Sequence, residues 1–345
     1  MNVRAIAAAV AVAALPGCAA SVAKAPETPL PLSPVVALAP AAGLESIAVV
    51  CPKELYADAS LLPALQALLP PSDAAALARR HGGADLRELD ELVFASYPHA
   101  TLVLARGVFD PAKIEATFSR RAINIEGRAI DHAGGALSTI TRVWGEFSSV
   151  AAGPNAREQL AIFGLQAVAI ERDDVTSSEA PTPMVGPLRA AELFALRKLA
   201  KAKPALAAPP LAAANAAAGE GAVKFMLPGP FSGQLAGAMG GMLSAATAIA
   251  AVARPSGGGH VKVRVVITGA FGDQAPRAAE KVAALADLIA SSAMGRLAGL
   301  DHPVAARTTM SEPESVTLDC ELDALALVRG LRAAAGASVE EVLGY

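Results

Sequence analysis

Val261-Lys-Val-Arg-Val-Val-Ile-Thr268 and Val316-Thr-Leu-Asp-Cys-Glu-Leu-Asp323 decide how this chain folds. The first run alternates apolar with charged or polar residues over most of its length, and the second alternates without error. Successive side chains of a strand point to opposite faces, so each run reads as a strand with one apolar and one wet face. Strands buried on both faces read instead as continuous apolar runs. The pattern therefore favours an antiparallel or mixed sheet with helices on one side only, and an α+β class.

The same reading extends along the chain. Residues 47–51, 92–97, 101–109, 122–130 and 136–150 read as strands, the last two around a Gly134-Gly135 turn. A helix is predicted from Ser72 as N-cap to a stop at Gly82-Gly83. Another runs from Asp110-Pro111 to Arg121, because aspartate caps and proline has no N–H to leave orphaned in the first turn. Asn155-Ala-Arg-Glu158 has the spacing of a capping box and predicts a further helix start. Helices are also predicted over 188–202, 232–253, 275–295 and 324–335, with Ser338-Val-Glu-Glu341 capping a short one. Residues 173–187 are polar and Pro-rich and read as a linker, and 204–221 is a second breaker-rich run. The linker divides a first α+β unit, 46–172, from a second, 188–345. Residues 101–114 and 263–275 each run from a strand through Gly-x-Phe to an aspartate, a faint similarity between the two units.

The chain has 345 residues, of which 53% are hydrophobic and only 4% aromatic, and its net charge is -3. Alanine supplies much of the apolar count, so the mean hydropathy of +0.43 overstates greasiness. No Lys/Arg run reaches the cluster size of a nucleic-acid patch, which argues against a nucleic-acid partner.

The N-terminus carries Arg4, then small or apolar residues from Ala5 to Ala14, then Leu15-Pro16-Gly17-Cys18. A positive n-region, an h-region too short to span a bilayer and a small-residue cleavage site make a signal peptide. With Leu15 three positions before Cys18 and Gly17 just before it, the segment resembles the lipobox of bacterial lipoproteins. The resemblance implies cleavage after residue 17 and palmitate-type acylation of Cys18. Ala19 in place of aspartate implies the outer membrane, with the body facing the periplasm. A lipobox cysteine carries two or three chains, and at about 0.8 kcal/mol per buried methylene that anchor is effectively permanent. Residues 18–45 then form a Pro/Ala-rich tether, disordered or extended, whose Pro-rich part from Ala19 to Ala42 reaches about 70 Å at polyproline II rise. In overall plan the chain resembles Ala-rich α+β lipoproteins of high-GC Gram-negative bacteria.

Between Lys224 and Arg254 no side chain is charged, and Gly233, Gly237 and Gly241 recur at every fourth residue. On a helix that row lies along one face and lets another backbone approach closely. A membrane-inserting GxxxG helix is one reading. The Ala/Gly composition, with Gln234 and several hydroxyls, favours instead a helix lying close on a sheet, and a partly irregular segment is the third reading.

Besides Cys18, Cys51 and Cys320 remain, each in a predicted strand. In an oxidising compartment they could bridge the first strand to the last, or pack as separate buried thiols. Asp319, Glu321 and Asp323 share a strand face and could bind a hard cation, but a solvated face accounts for them equally well. No histidine has metal-ligand spacing, and no nucleophile elbow, P-loop or dinucleotide fingerprint occurs. The expectation is a non-catalytic binding or scaffold module of the cell envelope, without cofactor or metal, with a membrane and an envelope protein as partners. Two alternatives stay open: a carrier of a lipid-like ligand in an apolar cavity, and a periplasmic enzyme using residues dispersed along the chain.

Overall fold

The computed structural model describes residues 32, 34–132, 137, 139–149, 153–173, 186–196, 198, 203–233 and 237–336. Cys18 and the rest of the lipobox, the Gly134-Gly135 turn, most of the 173–187 linker and the last short helix lie outside the described residues. The strands are β1 (Ser46–Val50), β2 (Glu91–Tyr97), β3 (Ala100–Arg106), β4 (Asn124–His132), β5 (Thr139–Ser149), β6 (Gly153–Phe163) and β7 (Ala167–Asp173). They continue as β8 (Val223–Pro228), β9 (Ala246–Gly257), β10 (His260–Gly269), β11 (Ala305–Glu312) and β12 (Ser315–Asp323). The α-helices are α1 (Pro52–Ala57), α2 (Leu62–Leu68), α3 (Pro71–Arg80), α4 (Pro111–Arg121) and α5 (Pro187–Ala195). After them come α6 (Pro209–Ala218), α7 (Ala275–Ser291), α8 (Ala293–Leu297) and α9 (Ala324–Gly336).

All twelve strands join one sheet, in the order β11-β12-β10-β9-β8-β1-β2-β3-β7-β6-β5-β4. Every pairing in it is antiparallel. The class is thus α+β, with the sheet continuous across the predicted linker through a β1/β8 seam in which Ala48 faces Phe225. Moving outward from the seam, β1-β2-β3-β7 on one side matches β8-β9-β10-β12 on the other. Gly107-Val-Phe109 follows β3 and leads to α4, and Gly269-Ala-Phe271, which starts at the last residue of β10, leads to α7.

The alternating strands bury one set of side chains on each face. On the first face Ile47, Val93, Leu104, Met226, Ala250 and Val266 belong to a single core that crosses the seam. Leu188 and Phe194 of α5 and Leu211 of α6 pack into it. The second face carries two separate caps. Ile114 and Phe118 of α4 cover Val143, Leu160 and Val168, while Val282 of α7 packs with Ile267 and Val316. Ala64 of α2 and Val328 of α9 extend that second cap over Val261 and Leu322.

Several expectations are corrected. Helices lie on both faces, not one, because a sheet this wide exposes two apolar surfaces that each need covering. Residues 153–163 are a strand where a helix start at Asn155 was expected; pairing with β5 on one edge and β7 on the other overrides the cap signal. The helix over 232–253 gives way to a short 3-10 helix, Ala238–Ala245, followed by β9. Ala248, Ala250 and Val252 face the first core in a period of two that the alanine-rich composition hides. The breaker-rich run 204–221 holds α6, whose helix begins at consecutive prolines. The end of the supposed tether is core: Val35, Val36 and Leu38 are buried, and Glu91 accepts hydrogen bonds from the Val35 and Val36 amides at 2.6 and 3.0 Å.

Candidate functional site

The cap formed by α3 and α4 does not close flat onto the sheet. Between them lies a cavity of about 430 Å³. Its walls are built by the start of α4 and the tight turn that ends α3. Asp110 accepts from the Lys113 amide at 3.3 Å and Pro111 opens α4, which turns Ile114 and Phe118 inward. At the end of α3 the chain reverses at Gly82, where φ is +67° and an added Cβ would lie 2.7 Å from the Ile114 amide nitrogen. Only glycine allows the two helices to meet so closely there. Leu77, His81, Leu86 and Phe109 complete the roof.

Strand register sorts the floor into rows. Leu92, Ala105 and Val168 form the first, and Phe94, Val103 and Ile170 the second. Ser96, Thr101, Arg172 and Glu158 form the third, which is polar throughout. Glu158 is only 2% exposed. It accepts from Arg172 Nε at 2.9 Å, and Arg121 Nη2 stands 3.6 Å away on its other side. The Arg121 guanidinium lies over the Phe118 and Phe147 rings, 5.7 and 5.5 Å from their centroids. Burial, and then the charge of Arg121, holds the His81 imidazole below its ordinary value. The cavity is therefore greasy over most of its wall and cationic at one end. It meets the size of sites for small ligands, about 300–1,000 Å³, lined by apolar groups with a few convergent polar ones.

The first face holds a second set of buried charges beneath α5. Glu192 is fully buried and accepts from Arg142 Nη1 at 2.9 Å, with Arg189 also bound to it. Glu171 accepts from the Leu188 amide at the start of α5. Burial pushes its carboxyl up to about 7, opposed by that amide and reinforced by Asp173 beside it. These groups hold α5 on the sheet; no nucleophile stands among them.

The residues singled out by sequence are not brought together. Gly233, Gly237 and Gly241 pack against nothing: an added Cβ at each would meet no atom within 4 Å, and Gly233 and Gly241 have φ of +59° and +79°. Gly237 caps the 3-10 helix Ala238–Ala245 and Gly241 lies within it, so the row does not line one face of a long helix. Cys51 and Cys320 are free. Strands β8, β9 and β10 separate β1 from β12, about 19 Å at ordinary strand spacing, against a bridging limit of about 7 Å. Burial raises both thiols, which makes them poor nucleophiles. Asp319 binds Arg264 Nε at 2.8 Å, Glu321 accepts from Ser256 Oγ at 2.6 Å, and Asp323 accepts from the Ala326 amide at 2.7 Å. Each carboxylate of that strip thus has a partner. Among the described residues no group of His, Cys, Asp and Glu could hold a metal ion, and no helix is long and apolar enough to cross a membrane.

Sequence reading missed Arg121, Glu158 and Arg172 as a cluster. Val168, Ile170 and Arg172 alternate onto one face of β7 and were the available signal, an apolar face ending in a charge. Comparison with known proteins finds no matching family model, no matching curated protein and no matching solved structure.

Proposed function

We propose that this chain is a lipid-anchored envelope protein that holds a lipid-like molecule in the cavity beneath α3 and α4. The single observation carrying this reading is the 430 Å³ space, walled mostly by aliphatic and aromatic side chains with charged groups at one end. A filled core would leave no room there; interiors rarely keep voids larger than a water molecule without use. Acylation of Cys18 and attachment to the outer membrane, facing the periplasm, place such a site beside a source of lipid. The free tether in this reading is shortened to about residue 31, because Leu32 and Val35 are already buried in the body. The two halves, 46–172 and 188–345, are units of related design, a view supported by the matched strand order about the seam.

The activity proposed is binding and carriage, without catalysis, cofactor or metal. A scaffold role toward an envelope protein is the second reading, supported by the open edge strands β4 and β11. Titration of the full chain, freed of detergent, with the neutral fluorophore N-phenyl-1-naphthylamine tests the first. Saturable enhancement that is lost in Val103→Asp is the expected result, and no enhancement refutes carriage. For the anchor, Cys18→Ser should move the protein from the membrane fraction to the soluble one.

A further inference from the structure

The charged end of the cavity is lopsided. Around it and the adjoining depression between α3 and α4 stand Arg79, Arg80, Arg120, Arg121 and Arg172, against one carboxylate, Glu158. Glu158 is already shared by two of them. Among the described residues Arg79 and Arg80 have no hydrogen-bonded or ion-paired partner, and both are exposed. Arg121 Nε is buried without an acceptor. Burial disfavours the charge on Arg121; Glu158 offsets part of that, and the nearby Arg172 and Arg80 work against the offset. Guanidinium groups crowded this way favour an anion, which would relieve the repulsion and accept their free N–H groups.

The opposite end of the cavity is continuous with an apolar strip. The second row does not stop at Phe94; register carries it on through Ala48 and Phe225 to Ala251. From Ile170 to Ala251 it crosses five strand spacings, about 24 Å. One leaflet of a bilayer is about 15 Å of hydrocarbon, so a membrane-length acyl chain fits along it. Phe94 and Phe225 are 43% and 40% exposed, and no described residue covers the strip between the two helical caps.

We infer that the site takes a single-chain anionic amphiphile. Its carboxylate or phosphate head meets Arg121, Arg172 and Arg80, and its alkyl chain lies on the Phe94 row. This deepens the carriage reading and rests on it. Arg121 and Arg172 hold the head in position, and Arg80 closes over it from α3. The apolar rows supply affinity and the arginines supply the choice of head.

Displacement of bound N-phenyl-1-naphthylamine from the full chain tests the inference, using dodecanoate, dodecyl phosphate and dodecanol. Each charge-assisted hydrogen bond favours the anion, so either anion should displace at about tenfold lower concentration than the alcohol or better. Acetate and inorganic phosphate, which lack the chain, should not displace. The ratio of dodecanoate to dodecyl phosphate tells which head the arginines prefer. Arg121→Gln and Arg172→Gln should each shrink the anion advantage, read as the ratio of dodecanol to dodecanoate displacement, to a few fold. Arg80→Gln, at an exposed position that carries no packing, gives the same test should either of those variants fail to fold. If dodecanol competes as well as dodecanoate, the head assignment is wrong although the cavity binds. Should the probe itself not bind, the carriage reading falls with it. Displacement by phosphate or acetate alone would show a simple anion site and overturn the amphiphile.

Discussion

Phe94 and Phe225 stand on either side of Ala48, each in register with it, on the face of the sheet left open between the two helical caps. Phe94 lines the cavity, whereas Phe225 lies across the seam in the other half of the chain. A ligand long enough to touch both would be read by both halves. Phe225→Asp should therefore weaken hexadecanoate at least tenfold and leave octanoate, which ends short of the seam, within about twofold. Equal losses for the two acids would show that the chain does not run along this row. The substitution is at a part-exposed position, so the melting temperature should move little.

Stability should depend on pH through Glu171. Its folded-state carboxyl titrates near 7, above its ordinary value, because it is buried beside Asp173. The folded chain then holds a proton that the unfolded chain releases. That contribution is whole below about pH 4.5 and is lost as pH rises toward 7. Glu171→Gln keeps an acceptor for the Leu188 amide without the charge. Relative to the parent it should gain up to about 3 kcal/mol between pH 5 and pH 8, read from urea melts at both values. A pH-independent difference would mean that Glu171 titrates in its ordinary range.

Arg142 and Glu192 illustrate a buried ion pair whose disruption is costly. Glu192 is fully buried and bound by Arg142 and Arg189. Removing Arg142 leaves a carboxylate inside the protein with one partner fewer, and such losses cost about 3–5 kcal/mol. Arg142→Met should fall in that range, and Arg142→Met with Glu192→Leu should recover much of it. A single variant as stable as the parent would show that Arg189 alone suffices.

Close packing by glycine occurs in this protein, but far from the small-residue ladder. An added Cβ at Gly330 of α9 would lie 2.3 Å from the Ala298 Cβ, just after α8. Gly330→Ala should destabilise by about 1–3 kcal/mol, despite a helix propensity that favours alanine by about 1 kcal/mol. Gly237→Leu, where nothing lies within 4 Å, should change stability by about 0.5 kcal/mol or less. Thermal melts of both variants decide between them.

Strands β10 and β12 and helix α4 were legible because each carries a strong local signal: alternation over most of β10 and throughout β12, and Asp110-Pro111 at α4. Cys51 and Cys320 could not be placed from the sequence, since strand order, not alternation, sets the distance between them. β9 was hidden for a different reason. Alanine has no strong face preference, so Ala246-Thr-Ala-Ile-Ala-Ala reads as a helix until neighbours on both edges claim its amides. The cavity was the least legible feature. Its polar row joins Arg172 to Glu158 across two strands and Arg121 from a helix, and only the register brings them together.

The β1/β8 seam has a consequence for biosynthesis. Until residue 228 has left the ribosome, β1 is an unprotected edge whose amides and carbonyls have only β2 to satisfy them. The amino-terminal half of a nascent chain is thus adhesive by construction, and it stays so until β8 emerges to cover β1.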